Sequence, residues 1–391
     1  SNPQTLNFFQ NDIEETADFM ELFADLYGPY PFADEKYGHA MAPIGGGMEH
    51  QTMTTQGSFN NTLTAHELAH QWFGNNVTCA SWADLWVNEG FATYSAFVML
   101  ENLYPPIESR GYMSQLHSSV VSSPGGSTWI EDSLNTSRLF SGRLTYNKGA
   151  AIIHTMRFLM NDDELFFNTL AQFQVDFADS TAIGLDVRDA LSTASGIDYT
   201  DMFDQWYFGE GYPTYKVTYG IDGDLIKVRI NHTTSSSTPT FTNPLELKFS
   251  RTGGLGDTII RFEIPSNSVE YTIPSLPNVG GVVSIDPNNW IVNEQDPIVR
   301  DDDILATTDL QIENTVTLEI YPNPSENFVN LFTDLKGQQK VKVFNSLGQQ
   351  IQVFEFTGKH TLNVSNFNQG VYIFKVQDYD GKVRVKTFVK K

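Results

Sequence analysis

The spacing of apolar and polar residues divides the chain into a helical first part and a strand-rich remainder. Between Ile13 and Tyr27, apolar residues recur every three or four positions, which is the period of an α-helix with one buried face. The same period predicts helices at Leu63–Trp72, Leu85–Leu100, Tyr146–Met160, Asp163–Phe177 and Val187–Ala194. Gly28-Pro29 and Pro105-Pro106 are interpreted as breaks between helices. Residues 1–212 are therefore predicted to form one mainly helical domain.

The pattern changes to short alternating runs after Pro213. Tyr215–Ile221 and Leu225–Asn231 flank Asp222-Gly223-Asp224, which is a strong hairpin signal. Further alternating runs predict a β-sandwich over residues 213–292 and a second small sandwich over residues 315–391. The intervening residues 293–314 are rich in Asp and weakly apolar, which is typical of a linker. The predicted fold class is multidomain α+β, a mainly helical domain followed by two all-β sandwiches.

Charge is distributed unevenly over these segments. Residues 1–212 contain 7 basic and 27 acidic side chains, a net charge of −20, whereas residues 314–391 contain 10 and 6, a net charge of +4. So acidic a body repels nucleic acid and anionic membranes and favours cationic ligands, such as a metal ion or a peptide's amino terminus. An acidic surface adapted to a salty environment is an equally good explanation of the charge.

Cysteine usage and hydropathy exclude several classes of protein. Cys79 is the single cysteine, so neither an internal disulfide framework nor a cysteine-rich zinc site can form. No apolar run approaches the roughly 20 residues that cross a bilayer, and no segment near Ser1 has the layout of a signal peptide. We therefore expect no transmembrane segment and no nucleic-acid partner.

The strongest chemical signal is His66-Glu67-Leu68-Ala69-His70. Histidines at i and i+4 lie on one helix face, so both imidazoles can reach a single ion. Glu67 lies where it can accept a proton from a water at that ion. A catalytic zinc site needs a third protein ligand and an open position, and Glu89 on the next predicted helix can supply that ligand. The alternative is a buried helix whose histidines are merely hydrogen-bonded.

These residues resemble the aminopeptidase N-like zinc metallopeptidases, a gluzincin family. The resemblance is close from Thr64 to Tyr94 and extends over about residues 5–212. The family's exopeptidase motif has its counterpart in Gly46-Gly47-Met48-Glu49-His50, and its downstream motif in Tyr146-Asn147-Lys148-Gly149. His50 stands where the family has Asn. The family's amino-terminal β-domain would precede residue 1, so the chain is expected to begin at its catalytic domain.

The resemblance implies a thermolysin-like catalytic domain and a role for each matching residue. His66, His70 and Glu89 would bind one Zn²⁺ per chain, and Glu67 would act as the general base. Tyr146 would hydrogen-bond the oxyanion. The substrate-binding residues would be Gly46, Gly47, Met48 and Glu49. Asn88 and Asp84 are candidates for orienting the imidazoles, although each could equally be a helix cap. Trp82, Trp86, Phe91 and Tyr94 are interpreted as core rather than as substrate pocket.

The tail resembles a second family, the carboxy-terminal sorting domains of the type IX secretion system. The resemblance rests on Ile320–Ser325, Asn345–Gly348, Gly370-Val371-Tyr372 and the basic end Lys386–Lys391. It implies a bacterial protein that the type IX machinery exports to the cell surface or the medium. An ordinary carbohydrate-binding or adhesive β-module is the alternative.

Together these interpretations predict a secreted zinc aminopeptidase whose substrates are peptides. Two other functions stay open at this point. The chain could be a zinc endopeptidase or another hydrolase on the same scaffold. It could also be a non-catalytic surface binding protein with a vestigial zinc site, although intact Glu67 and Tyr146 argue against a vestige.

Overall fold

The computed structural model describes residues 3–306, 318–333, 337–345, 349–377 and 383–391. The chain divides into two compact units, Ser1–Leu305 and Ala306–Lys391. The first mixes helices with sheets, and the described part of the second is all β. The structure is therefore a mixed α and β protein of more than one unit. Across the described ranges, none of the helices combines the length and the apolar character that crossing a membrane requires.

The helices lie almost entirely in the first unit. In chain order they are α1 (Pro3–Glu14), α2 (Thr16–Tyr27), α3 (Asn61–Ala69), α4 (Trp86–Leu103), α5 (Pro106–Val121), α6 (Thr136–Leu139), α7 (Gly149–Met160), α8 (Asp163–Asp176), α9 (Gly184–Ser195), α10 (Thr200–Met202) and α11 (Asp303–Ala306). A 3₁₀ turn spans Trp82–Asp84, and π-helical turns span Gly142–Lys148 and Phe203–Tyr207.

The strands of the first unit form four sheets. They are β1 (Gly38–Met41), β2 (Gly47–Met48), β3 (Met53–Gln56), β4 (Val77–Cys79), β5 (Ser180–Ala182), β6 (Pro213–Asp222), β7 (Leu225–Thr234), β8 (Leu245–Arg251), β9 (Thr258–Phe262), β10 (Ser268–Ile273), β11 (Val279–Ile285), β12 (Glu294–Gln295) and β13 (Val299–Arg300). The sheet orders are β1-β3-β2, β4-β5, β11-β8-β9 and β10-β7-β6-β12, with β13 also paired to β6.

The core of the first unit is one continuous apolar cluster. Helix α4 is buried on all sides from Trp86 to Leu100, which is the pattern of a helix at the centre of a domain. The same cluster includes Val217 and Val228 of the β6–β7 hairpin and Leu247 of β8. The β-sheets after Pro213 therefore share a hydrophobic core with the helices.

The described residues of the second unit form two antiparallel sheets. Its strands are β14 (Leu318–Tyr321), β15 (Phe328–Thr333), β16 (Gln339–Asn345), β17 (Gln350–Phe356), β18 (Lys359–Asn363), β19 (Gly370–Gln377) and β20 (Val383–Lys390). Their orders are β14-β15-β18 and β17-β16-β19-β20. Val329 and Leu331 of one sheet and Val341, Val343 and Phe374 of the other contribute to a single core.

The structure differs from the sequence expectations at three places. A break at Glu15 separates α1 from α2, and α5 follows Pro105, where only a break between helices was expected. Residues 293–305 do not behave as a free linker: β12 and β13 pair with β6, and Ile304 is only 2% exposed. The rest of the predicted linker, residues 307–314, lies outside the described residues, as do 346–348 of the proposed sorting motif.

Candidate metal and catalytic site

Two imidazoles converge at the end of α3. Asn60 caps this helix, since its side-chain oxygen accepts a hydrogen bond from the backbone N–H of Leu63 at 3.0 Å. His66 lies on α3 and His70 directly follows its last residue, one helical turn away. Their Nε2 atoms are 3.1 Å apart. The i and i+4 spacing thus brings both nitrogens to one point, as the sequence predicts.

Helix α4 brings a carboxylate to the same point. Oε2 of Glu89 is 3.3 Å from Nε2 of His66 and 3.3 Å from Nε2 of His70. Burial on its own would raise the pKa of Glu89, but His70 and His66 outweigh it, and the pKa stays well below its usual range. Glu89 is therefore an anion, although it is only 6% exposed.

Hydrogen bonds at the other ring nitrogens fix how the histidines face this point. Nδ1 of His70 donates to the carbonyl oxygen of Phe73 at 2.9 Å, and Nδ1 of His66 lies 3.4 Å from the hydroxyl of Thr93. The carbonyl oxygen of Phe73 only accepts, so Nδ1 of His70 carries a proton. With a proton on Nδ1 of His66 as well, two neutral rings would direct their Nε2 lone pairs at each other and at Glu89. Three electron-rich atoms then face one another in a buried place.

That arrangement fits a divalent zinc ion. Tetrahedral ligands at about 2.0–2.1 Å from Zn²⁺ are separated by about 3.3–3.4 Å, close to the 3.1 Å and 3.3 Å separations of the three atoms. Oε2 of Glu89 is buried and has no well-directed hydrogen-bond donor. Because two imidazoles and one carboxylate are a common catalytic zinc set, the donor atoms also suit this metal.

Glu67 lies beside this cluster, packed against the glycine-rich segment. A Cβ placed on Gly47 would lie 2.3 Å from Oε1 of Glu67, so any larger residue at position 47 would displace the Glu67 carboxylate. Glu67 is 4% exposed, and its Oε2 has no hydrogen-bond partner. Burial, supported by the negative charge of Glu49 and Glu89, raises the pKa of Glu67 to about 7.

Glu49 brings a second free carboxylate to the cluster. Its side-chain oxygen lies within 4.8 Å of ligand atoms of Glu67 and His70. The side chain of Asn75 holds this segment in place by donating to the carbonyl oxygen of Glu49 at 2.8 Å. His50 is exposed, and its Nδ1 is 3.1 Å from the hydroxyl of Thr55, outside the cleft lining.

Tyr146 approaches the cluster from the π-helical turn. Its ring lies nearly parallel to that of His66, with the two ring centroids 6.0 Å apart. Burial raises the pKa of Tyr146 above its usual range, and the negative charge of Glu89 raises it further, so the phenol keeps its proton. Gly90 and Gly149 allow the approach, because a Cβ on either would lie within 3.1–3.2 Å of the other's backbone.

These side chains line one open cleft with a volume of ≈ 590 Å³. Its lining includes all nine residues predicted from sequence: Gly46, Gly47, Met48, Glu49, His66, Glu67, His70, Glu89 and Tyr146. A neighbouring cavity of ≈ 440 Å³ shares Met48, Glu49 and Glu89 with it. Trp82 lines that second cavity and is 57% exposed, so its interpretation as core is wrong, whereas Trp86, Phe91 and Tyr94 are buried.

The residues that hold the imidazoles are not those expected. Asn88 accepts from the backbone N–H of Cys79 at 2.9 Å, and Asp84 accepts from the Tyr207 hydroxyl at 2.6 Å. Neither has a hydrogen bond to a histidine, whereas the carbonyl oxygen of Phe73 and the hydroxyl of Thr93 lie against the Nδ1 atoms of His70 and His66. Thr93 lies four residues after Glu89 on α4, so the helical period could have identified it. The contact of the Phe73 carbonyl could not be identified in this way, because every residue has a backbone carbonyl and the sequence does not distinguish one from another.

Comparison with known protein families agrees with this geometry. Residues 45–206 match the peptidase family M1 domain, and residues 319–391 match the secretion system C-terminal sorting domain. This chain carries an M1 peptidase domain and a type IX sorting domain. The M1 match contains every residue of the cleft that the sequence predicts.

Among curated proteins, the M1 domain is similar to several aminopeptidases. Probable aminopeptidase 1 of Sulfurisphaera tokodaii is 32% identical over 174 residues, which cover 43% of this chain and 22% of that protein. Aminopeptidase N of Oryctolagus cuniculus is 29% identical over 325 residues, covering 72% of this chain and 32% of that protein. The chain therefore spans only 22–32% of the length of these relatives.

A solved structure shares the fold. The crystal structure of Legionella pneumophila aminopeptidase A in complex with aspartic acid aligns with a TM-score of 0.61 at 16% sequence identity. The alignment covers 79% of this chain and 37% of that one. At this identity the likeness concerns the fold, which extends beyond the M1 match of residues 45–206.

Proposed function

We propose that this chain is an exported zinc aminopeptidase that removes residues from the amino termini of peptides. The observation that carries the proposal is the placement of a free carboxylate, Glu49, beside the His66–His70–Glu89 cluster and the base Glu67. The similarity of the M1 domain to curated aminopeptidases supports it.

The three converging side chains would hold one zinc ion. His66 and His70 would bind through Nε2, with Phe73 and Thr93 keeping the protons on Nδ1. Glu89 would supply the carboxylate and offset part of the ion's charge. A zinc ion bound here supplies Lewis-acid polarisation of the scissile carbonyl and acidifies water.

Glu67 and Tyr146 would divide the proton transfer and the charge stabilisation. A carboxylate whose pKa is near neutrality can take a proton from the attacking water and later pass it to the leaving amine. Tyr146 keeps its proton, so its hydroxyl can donate a hydrogen bond to the oxygen that becomes negative in the transition state.

Glu49 would make the enzyme an exopeptidase. A free amino terminus is an ammonium at neutral pH, and a carboxylate at this place fixes it one residue from the reacting carbonyl. Met48 and Gly47 form the short strand β2 at the edge of its sheet, where an extended peptide can pair. His50, which stands where the family has Asn, does not line the cleft, so it would not block the contact between Glu49 and the substrate's amino terminus.

The test compares one peptide with a free and with an acetylated amino terminus. The wild-type chain should cleave only the free peptide, and a chelator should stop the reaction. Glu49→Gln should lose most of the preference, whereas Glu35→Gln, an exposed glutamate bonded to Thr52, should retain it. Equal cleavage of both peptides by the wild type would replace this proposal with a zinc endopeptidase. Binding of peptides without any cleavage would favour a surface binding protein with a vestigial zinc site.

The proposed place of action follows from the second match. A sorting domain over residues 319–391 indicates export by the type IX machinery to the cell surface or the medium. The experiment is expression in a bacterium that has this system, with and without residues 319–391. The full chain should reach the surface or medium and the truncated chain should stay inside. Export of both chains would show that residues 319–391 are not required for secretion.

A further inference from the structure

Three cations surround the π-helical turn that carries Tyr146. Residues 1–212 contain only seven basic side chains, and three of these, Arg138, Arg143 and Lys148, lie within ten residues of Tyr146. We term Arg138, Arg143 and Lys148 the cation brace. All three side chains donate hydrogen bonds to backbone carbonyl oxygens, and most of these oxygens belong to residues 120–129. This use of scarce positive charge in an acidic domain calls for an explanation.

The brace attaches the turn to segment 120–129 at several points. Arg138 donates to the carbonyl oxygens of Ser127, Thr128 and Trp129 at 2.7, 3.2 and 3.1 Å. A further hydrogen bond runs from Arg138 to the hydroxyl of Thr145, the residue before Tyr146, at 3.1 Å.

Arg143 lies on the turn itself, three residues before Tyr146. It donates to the carbonyl oxygens of Val120 and Ser123 at 3.1 Å each and to that of Gly125 at 2.8 Å. The backbone of Gly126 also packs closely against the side chain of Leu144, because a Cβ on Gly126 would lie 2.6 Å from a methyl group of Leu144. The turn and the segment therefore behave as one packed layer.

Lys148 closes the turn on the other side of Tyr146. Its Nζ donates to the carbonyl oxygen of Gly126 at 2.9 Å and to that of Gly209 at 3.0 Å. The side chain is 1% exposed, and burial lowers its pKa to about 7. Burying an amine this deeply costs more free energy than burying an apolar side chain of the same length. A stabilising role alone would be served better by methionine.

We propose that the cation brace positions the Tyr146 hydroxyl for transition-state hydrogen bonding. Carbonyl contacts on both sides of Tyr146 fix the π-helical turn, and the Gly90–Gly149 contact sets its distance from Glu89. None of the three brace residues is a proposed zinc ligand or lines the cleft itself, so their effect on the reaction would pass through Tyr146. Lys148, Arg143 and Arg138 are positioning residues. The inference rests on the proposed function, since it concerns the oxyanion donor of that reaction.

The test is a double-mutant cycle between Lys148→Met and Tyr146→Phe. Misplacement by about 1 Å can cost up to 10²-fold in rate, so Lys148→Met should lower kcat by about 10–10²-fold with little change in KM. Zinc content should stay at the wild-type level. In a chain that already carries Tyr146→Phe, adding Lys148→Met should lower kcat by less than about 2-fold, because the hydroxyl that Lys148 positions is already absent.

Arg157→Met is the matched control. Arg157 is also a buried cation, but it forms ion pairs with Glu101 and Asp163, each at 2.7 Å, and does not bond to the π-helical turn or to segment 120–129. Its effect on kcat should be the same in both backgrounds. Equal loss of kcat from Lys148→Met in both backgrounds would overturn the positioning role and leave the proposed function intact. A wild-type chain without peptidase activity would instead overturn the proposed function.

Hydrogen exchange supplies a readout that does not depend on activity. Lys148→Met should speed amide exchange in residues 120–129 and 142–148 and leave α3 and α4 unchanged. Unchanged exchange in both segments would contradict the brace. If Lys148→Met does not fold, Arg143→Met, whose side chain is only half-buried, enters the same cycle with the same two outcomes.

Discussion

The first unit of this chain buries many ionisable side chains, whereas the second buries almost none. Side chains less than 9% exposed in the first unit include Glu67, Glu89, His117, Lys148 and Arg157. In the described part of the second unit, the buried ionisable residues are Lys390, at 9% exposure, and Tyr372, at 5%. Because an uncompensated buried charge is costly, such groups persist where chemistry or a specific network requires them. The contrast assigns the proposed chemistry to the first unit.

Backbone geometry and charge follow the same division. Both π-helical turns lie in the first unit, where such turns often mark functional sites. The described residues of the second unit are regular antiparallel strands around a small apolar core. The net charge is −20 for residues 1–212 and +4 for residues 314–391. A sandwich with almost no buried charge suits a domain that other proteins recognise for export, which is the role proposed for it.

The sharpest way to break this comparison is to neutralise one buried carboxylate in the first unit. Glu67→Gln should lower kcat by roughly 10²–10⁴-fold, because an amide cannot take a proton from water. Zinc content should stay at the wild-type level, as Glu67 is not among the three converging ligand atoms. Glu355→Gln, the same change on an exposed residue of the second unit, should leave kcat unchanged. Wild-type kcat in Glu67→Gln would remove the base from the mechanism.

The convergence of His66, His70 and Glu89 can be predicted from sequence because helical periodicity fixes the direction of their side chains. His66 and His70 must share a face, and the motif context identifies Glu89. The contacts of Phe73, the cation brace and the Gly47–Glu67 packing could not be predicted. They involve backbone atoms or residues such as Lys148 and Gly209, 61 positions apart, for which side-chain patterns carry no signal. Helix α5 was missed although Pro106 at its first position is a known start signal.

The second prediction concerns the metal ligand Glu89. Glu89→Ala should lower zinc affinity at least about 10-fold, because two imidazoles remain without the anion that completes the set. Metal analysis after dialysis against a weak chelator measures the change. Glu101→Ala on the same helix, where the side chain pairs with Arg157 at 2.7 Å, is the control and should retain zinc. Stoichiometric zinc in both variants would show that Glu89 is not a ligand.

The third prediction uses acid to separate the two units. Burial lowers the pKa of His117 to about 4, below the value of 6.5 in an unfolded chain. Between these values the unfolded state binds the extra proton, so this group destabilises the first unit as the pH falls. Its contribution should be about 2 kcal/mol between pH 7 and pH 5.

Tryptophan fluorescence can follow this effect, because all six tryptophans, from Trp72 to Trp290, lie in the first unit. Denaturation should show a smaller drop in unfolding free energy from pH 7 to pH 5 for His117→Leu than for the wild type. His39, whose pKa burial also lowers to about 4, is present in both proteins and cancels in the difference. Parallel pH profiles would mean that His117 is accessible to protons in the folded state.

The smallest effect is expected from removing the second unit altogether. A chain that ends at Ala306 keeps residues 293–305, including β12 and β13 paired with β6, so the contacts described within the first unit are retained. Its zinc content and kcat should equal those of the full chain, and its unfolding free energy by tryptophan fluorescence should agree within about 0.5 kcal/mol. A chain that ends at Val292 is the matched control. It loses the two strands and Ile304 and should be less stable by at least about 2 kcal/mol. If ending the chain at Ala306 removed catalysis while the first unit stayed folded, the division of labour between the two units would be wrong.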